Sequence, residues 1–336
     1  MASLRTEVTE ITTGLGALGC DSVQEALAAP TPPPELRNVD EQVWDRLRDA
    51  HAGREHAGEF LAAFNNGRAL LRADDGLRGR IPLTVEWKGS HRDPADDAVP
   101  ADLRIDHVYL VSCKYLSKVL HNASPWALFD RCLAGAQGRR AGDWYSEVAP
   151  AEHQALYQAV RRATDGGERL PERVGELTKV EQRKLAADRD LRSTDIDRAY
   201  AELIEAVSLA SAARWQAGLG TGREQLSMLW RLLRLSAAPY FVLGTGGGES
   251  LRLRVATPWD WNQAWELQSF TVAAEGGGQP RVGWHAAVRG RQDGVECEVR
   301  GHVEVRWSHG RLGGSPEAKV YLDTPHRTVP GYVALR

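Results

Sequence analysis

Residues 102–114 constrain the fold more than any other stretch. They read Asp-Leu-Arg-Ile-Asp-His-Val-Tyr-Leu-Val-Ser-Cys-Lys, two short apolar runs separated by the polar pair Asp106-His107. Aliphatic and aromatic runs of this length favour strands, and a polar pair between them favours a reversal, so the pattern predicts a β-hairpin. The turn lacks the Asn-Gly type that marks such hairpins most strongly. Ile81 to Trp87 (Ile-Pro-Leu-Thr-Val-Glu-Trp) predicts a strand before the hairpin, stopped at Gly89. Farther upstream, Val43, Leu47, Ala50, Phe60, Leu61 and Phe64 recur at three- and four-residue steps among charges, which predicts helix from Asp40 to about Asn65. Tyr115 to His121 returns to helical spacing. Ser124-Pro125 has the chemistry of a cap and first position of another helix.

The remainder divides by composition. A Pro-rich break at Pro30 to Pro34 sets residues 1–39 apart as an N-terminal segment. Residues 40–149 form the α/β core, and 150–238 are helical and heavily charged. In 239–336 the Phe241, Leu251, Gln268, Gly294 and Ala318 stretches alternate like strands between Gly clusters. The length of 336 residues suits two domains, or one large domain with an insertion. With 42% hydrophobic and 26% charged residues, the chain is an ordinary globular one rather than disordered or collagen-like. The net charge of -3 argues against a protein that coats nucleic acid over a broad basic surface, and leaves room for a local cleft. Cys20, Cys113, Cys132 and Cys297 show no paired spacing, so neither a zinc site nor a disulfide framework is expected. A reducing cytoplasm fits such thiols, and no apolar run is long enough to span a membrane.

In an antiparallel hairpin the start of the first strand lies beside the end of the second, which brings Asp102 towards Lys114 across eleven intervening residues. A carboxylate and a lysine at one strand end can serve phosphoryl chemistry, the first holding a divalent cation and the second orienting water or offsetting charge. With its flanking helix–strand–hairpin–helix order, Pro100-Ala101-Asp102 followed by Ser112-Cys113-Lys114 resembles the PD-(D/E)XK nuclease superfamily. The resemblance covers about residues 40–135. It implies a restriction-endonuclease-like mixed sheet with a helical insertion and a β-rich C-terminal region, the strand from Tyr240 to Leu243 completing the core sheet. It also implies Mg²⁺, or Mn²⁺ in its place, at Asp102, and a catalytic role for Lys114.

The chain departs from the family pattern at its second acid, which is Ser112 here. A hydroxyl is a poor Mg²⁺ ligand, so Glu86, Glu59 on the preceding helix, or the backbone carbonyl of Cys113 would complete the metal shell, with Ser112 adding at most a hydrogen bond. Glu86 is preferred because its place follows from strand pairing, although the register decides which way it faces. A competing register, Glu86-Trp87-Lys88 with Asp74 or Asp75 upstream, matches the motif letters better. Its architecture is worse, because Asp74-Asp75-Gly76 is a turn signal and Lys88 runs into a Gly-Ser loop.

The expected function is therefore a metal-dependent nuclease, cleaving DNA before RNA, of the kind the family places in restriction or defence systems. The alternative is a non-catalytic, nuclease-like binding or assembly subunit with a protein partner or a second copy. Lys88, Arg306, His309 and Arg311 are the candidate nucleic-acid contacts. Gly244-Thr245-Gly246-Gly247-Gly248 lacks the Lys-Ser/Thr end of a phosphate loop and is expected to be a hairpin turn. Most of the 11 Trp are expected to be core.

Overall fold

Ser3 opens the first helix, α1 (Leu4–Ala17), by accepting the Thr6 amide on its side chain. From Glu7 to Ala17 every residue of α1 is buried, on all sides. Most of its polar residues find a partner, the Thr12 hydroxyl being the exception among the described residues of the helix. Thr9 and Thr13 hydroxyls donate to carbonyls one turn back, Glu7 pairs with Arg46, and Glu10 accepts from the Trp87 indole. The sequence places this segment in a separate N-terminal stretch; in the computed structural model it is the central helix of the first unit. Thr, Gly and Glu at its buried positions give it no amphipathic stripe, which is why periodicity does not mark it.

The structure describes residues 3–89, 101–115, 119–130, 142–188, 191, 193–246 and 249–336. Among them the chain is a mixed α/β protein of eleven α-helices, a seven-stranded mixed sheet and a five-stranded antiparallel sheet. It divides into two compact units, each assembled from separated stretches of chain.

The first unit comprises Met1–Lys118, Arg234–Ala264 and His326–Arg336. After α1 come the short α2 (Val23–Ala26) and β1 (Leu36–Arg37), then α3 (Glu41–Ala52), capped by Asp40 on the Val43 amide. The helix predicted from Asp40 to Asn65 is in fact broken. Arg54 and His56 adopt positive φ, and α4 (Ala57–Arg72) restarts beyond them. Glycines 16 and 67 let α1 and α4 approach backbone to backbone, since a Cβ on Gly67 would strike the Thr13 carbonyl oxygen. β2 (Val85–Trp87) is shorter than its predicted Ile81 start, because the Leu83 and Thr84 amides are taken by the Asp106 carboxylate rather than by a strand.

β3 (Leu103–Ile105) and β4 (Tyr109–Tyr115) form the predicted hairpin, with Ile105 opposite Tyr109 and positive φ at both Asp106 and His107. β6 (Tyr240–Gly246) then joins the same sheet parallel to β4, with Val111 opposite Phe241. It is followed by the antiparallel β7 (Glu249–Val255), the short helix α11 (Pro258–Ala264) and β12 (Tyr332–Ala334). The strand order is β1-β2-β3-β4-β6-β7-β12. Val85, Leu103, Ile105, Val111, Phe241 and Leu243 share one hydrophobic cluster with Val8, Ile11 and Leu15 of α1. Asn66 of α4 reaches the same sheet by donating to the Gly244 carbonyl, and its own oxygen accepts from Arg252.

The second unit comprises Val119–Leu233 and Trp265–Pro325. Helical spacing predicts a helix from Tyr115 to His121, whereas the structure has β5 (Val119–Ala123), paired antiparallel with β11 (Glu317–Leu322). Long-range pairing overrides a short ambiguous apolar run there. Ser124 and Pro125 do open a helix, α5 (Pro125–Phe129). The helices α6 (Trp144–Val148), α7 (Pro150–Ala163), α8 (Lys179–Ala187), α9 (Thr194–Gly218) and α10 (Gly222–Leu232) accompany β8 (Trp265–Glu275), β9 (Arg281–Gly290) and β10 (Glu296–Arg306). The helical block and the C-terminal strands thus share one core. Trp215 of α9 meets Phe270 of β8 edge-on, and Tyr145 donates to the Val305 carbonyl. Trp144, Trp215 and Trp261 are fully buried, in keeping with a core role for most of the tryptophans.

Candidate active site

Asp102 immediately precedes β3, and its main chain is held on both sides: its amide donates to the Val111 carbonyl and its carbonyl accepts from the Lys88 amide. Its carboxylate turns towards β4, where Oδ2 accepts from the Cys113 amide at 2.6 Å and from the Ser112 hydroxyl at 3.3 Å. β3 has ended at this level, so the Cys113 N–H has no ladder partner from it and the carboxylate substitutes for one. In an extended strand the carbonyl of a residue lies on the same edge as its N–H, which puts the Cys113 carbonyl on this edge too.

Side chains alternate across a strand. Val111 and Cys113 face the α1 side, where Cys113 packs against the core cluster. Ser112 and Lys114 therefore lie on the opposite face. Register carries Arg104, Asp102, Glu86 and Lys88 to that same face, with Glu86 opposite Arg104. Ser112 is completely buried, and among the described residues Lys114 makes no ion pair.

The predicted residues do not all converge. Asp102, Ser112, Cys113 and Lys114 form one group. Glu86 shares the face, but its carboxylate is engaged by Arg104 in a two-pronged ion pair of 2.6 and 2.8 Å, with His107 Nδ1 at 3.2 Å. The Arg104 guanidinium holds the Glu86 carboxyl below its ordinary value. Glu59 sits on α4, where Arg5 at 3.0 Å and His56 at 3.3 Å engage it. Asp74 and Asp75 lie in the turn after α4, with their amides towards the Arg336 carbonyl. In the second unit, Arg306 pairs with Glu304 at 3.6 Å, Arg311 lies over the Tyr200 ring at 5.3 Å, and His309 is exposed.

One carboxylate escapes the sequence reading altogether. Glu10 of α1 is 8% exposed and accepts from Trp87 Nε1 at 2.6 Å. Burial pushes the Cys113 thiol well up, and the negative charges of Asp102 and Glu10 push it further, so two carboxylates flank this strand end from different elements. No local motif announces Glu10, because a helix far upstream supplies it.

Among the described residues, no group of three or more His, Cys, Asp or Glu side chains could hold a metal ion. Mg²⁺ does not require one: it keeps several waters and is commonly bound by one or two carboxylates. Asp102 and the carbonyl edge of Cys113 fit that sparse donor set. Comparison of the chain with protein-family models, with curated proteins and with solved structures finds no match. No helix among the described residues is long and apolar enough to cross a membrane.

Proposed function

We propose that the chain is a metal-dependent phosphodiester hydrolase, a nuclease acting on DNA before RNA. The observation that carries this reading is the Asp102 carboxylate clamped to the Cys113 amide at the end of β4, with Lys114 one residue beyond on the Ser112 face. The antiparallel β2-β3-β4 order followed by a parallel β6 supports it, being the sheet that the restriction-endonuclease-like resemblance expects.

When bound, Mg²⁺ would neutralise charge on the scissile phosphate and lower the pKa of its water. The protein's own part is positional. The Cys113 amide and Ser112 hydroxyl fix the Asp102 rotamer. Lys114 presents an ammonium to the attacking water or the developing phosphorane charge. Glu10 stands on the other face of the sheet, towards α1, where its bond from Trp87 holds it near the Cys113 thiol. Glu86 braces the sheet through Arg104.

The test is purified full-length protein with supercoiled plasmid and Mg²⁺ or Mn²⁺, beside Asp102→Asn and Lys114→Ala. The expected result is metal-dependent cleavage lost in both variants. Absence of cleavage, or equal cleavage by the variants, overturns it. A second reading, a non-catalytic nuclease-like binding or assembly subunit, draws on Ser112 at the second acid position and on the commitment of Glu86 to Arg104. It predicts nucleic-acid or protein binding indifferent to metal and to Asp102→Asn.

A further inference from the structure

A trough of about 760 Å³ runs along α4 in the first unit, walled by the end of α3 and by the chain around Asp21. Its floor is a single stripe of α4, Leu61, Phe64, Arg68 and Arg72, at the three- and four-residue steps that align side chains on one helix face. Arg54 enters from the linker after α3, held in a positive-φ conformation. Arg54 and Arg72 are exposed, and among the described residues neither makes an ion pair. Arg68 spends its guanidinium on backbone carbonyls, donating to Asp21 at 2.9 Å. Among the described residues, Asp21 is the only acid lining the trough. Leu61, 61% exposed, leaves an apolar surface between the guanidinium groups.

We infer that this trough is a track for one sugar-phosphate strand of nucleic acid. The choice of nucleic acid rests on the nuclease reading; the anionic, extended character of the occupant rests on the trough itself. Guanidinium groups match phosphate oxygens in paired hydrogen bonds, and Arg54, just before α4, and Arg72, its last residue, offer theirs near the two ends of the helix. The sixteen residues of α4 span about 24 Å, a length suited to an extended strand rather than a single mononucleotide. Leu61 offers apolar contact to sugars or bases between the charges. The overall charge of -3 is no obstacle, because the cations are gathered locally.

The experiment is fluorescence anisotropy of a labelled single-stranded DNA oligonucleotide with the full chain in EDTA, across a salt series. Arg54→Ala/Arg72→Ala should weaken binding by about tenfold or more and reduce the salt slope by about 1.4, as expected for two lost phosphate contacts on a single strand. Arg54→Lys/Arg72→Lys should recover most of the slope. Both positions are exposed, and circular dichroism checks that the variants remain folded. Unchanged affinity and slope in the alanine variant overturns the inference, as does equal competition by polyglutamate or by a mononucleotide. Because no metal is present, this outcome is separate from the cleavage result. Wild-type binding lost on Arg54→Ala/Arg72→Ala, with no cleavage in Mg²⁺, would retain the track and reject the nuclease.

Discussion

The Asp102 carboxylate accepts the Cys113 backbone amide at 2.6 Å, joining the start of one strand to the end of its hairpin partner. The bond completes the ladder where β3 has run out, and it fixes the acid beside the residue that precedes Lys114. The placing of this acid and the termination of the strand are thus served by one interaction.

Asp102→Asn keeps the size of this side chain but removes its charge. Cleavage of plasmid in Mg²⁺ should fall by about 10²-fold or more, and Lys114→Ala should do the same, as for the loss of a charged group acting on a transition state. Ser112→Ala should cost only about 1 kcal/mol in stability and leave most activity, since Asp102 keeps the shorter bond from Cys113. Loss of activity in Ser112→Ala as deep as in Asp102→Asn would contradict the division of roles.

Glu10 separates stability from chemistry. Glu10→Ala strands the Trp87 indole N–H in a buried setting and should destabilise the fold by about 1–3 kcal/mol in urea unfolding. Glu10→Gln retains an oxygen acceptor, so stability should be largely preserved, and with Glu10 on the α1 face of the sheet cleavage should stay near wild type. A deep loss of cleavage in a stable Glu10→Gln would place Glu10 with Asp102 and Lys114.

The Glu86–Arg104 pair gives acid sensitivity of known sign. The folded carboxyl titrates below its ordinary value of 4.5. Its contribution is therefore complete above that value and disappears as pH falls through the lower folded pKa. Arg104→Ala should be less stable than wild type at neutral pH, and the difference should close as pH falls through the lowered folded pKa of Glu86. Denaturant titrations between neutral and acid pH measure it; a gap that persists or widens in acid would show that the pair is not the source.

Gly244 sits where β6 passes β4 in parallel, and a Cβ there would collide with the Lys114 carbonyl oxygen. Gly244→Ala should push the two strands apart, lowering Tm by several degrees, on the order of 1–3 kcal/mol, and should impair cleavage through displacement of Lys114. Wild-type Tm and activity would show that the strands yield without cost.

The hairpin from Asp102 to Lys114 was legible because its information is local: alternating apolar residues, a polar reversal, and a fixed relation between strand start and strand end. The same locality made Ser124-Pro125 readable, while the tip of the turn expected at Gly244 to Gly248 lies outside the described residues. Where a segment's state depends on distant partners, sequence pattern misled. Leu-Ser-Lys-Val-Leu-His after Tyr115 has helical spacing, yet Val119–Ala123 is a strand because β11 offers an edge to it. Residues 1–39 were set apart by the Pro30 to Pro34 break, yet α1 within them packs into the core, its Thr, Gly and Glu giving no apolar stripe to announce it.

Sequence alone determined the chemistry available at the end of β4: one acid, one lysine, and a serine where a second acid was expected. Only the tertiary structure decided which other carboxylates attend it. Glu86 was drawn off by Arg104 directly across the ladder, Glu59 by Arg5 and His56, and Glu10 was delivered from α1 with Trp87 holding it. Which charges meet is set by close packing of elements far apart in the chain. Gly16 and Gly67 allow α1 and α4 to touch, and that contact depends on both helices being folded together.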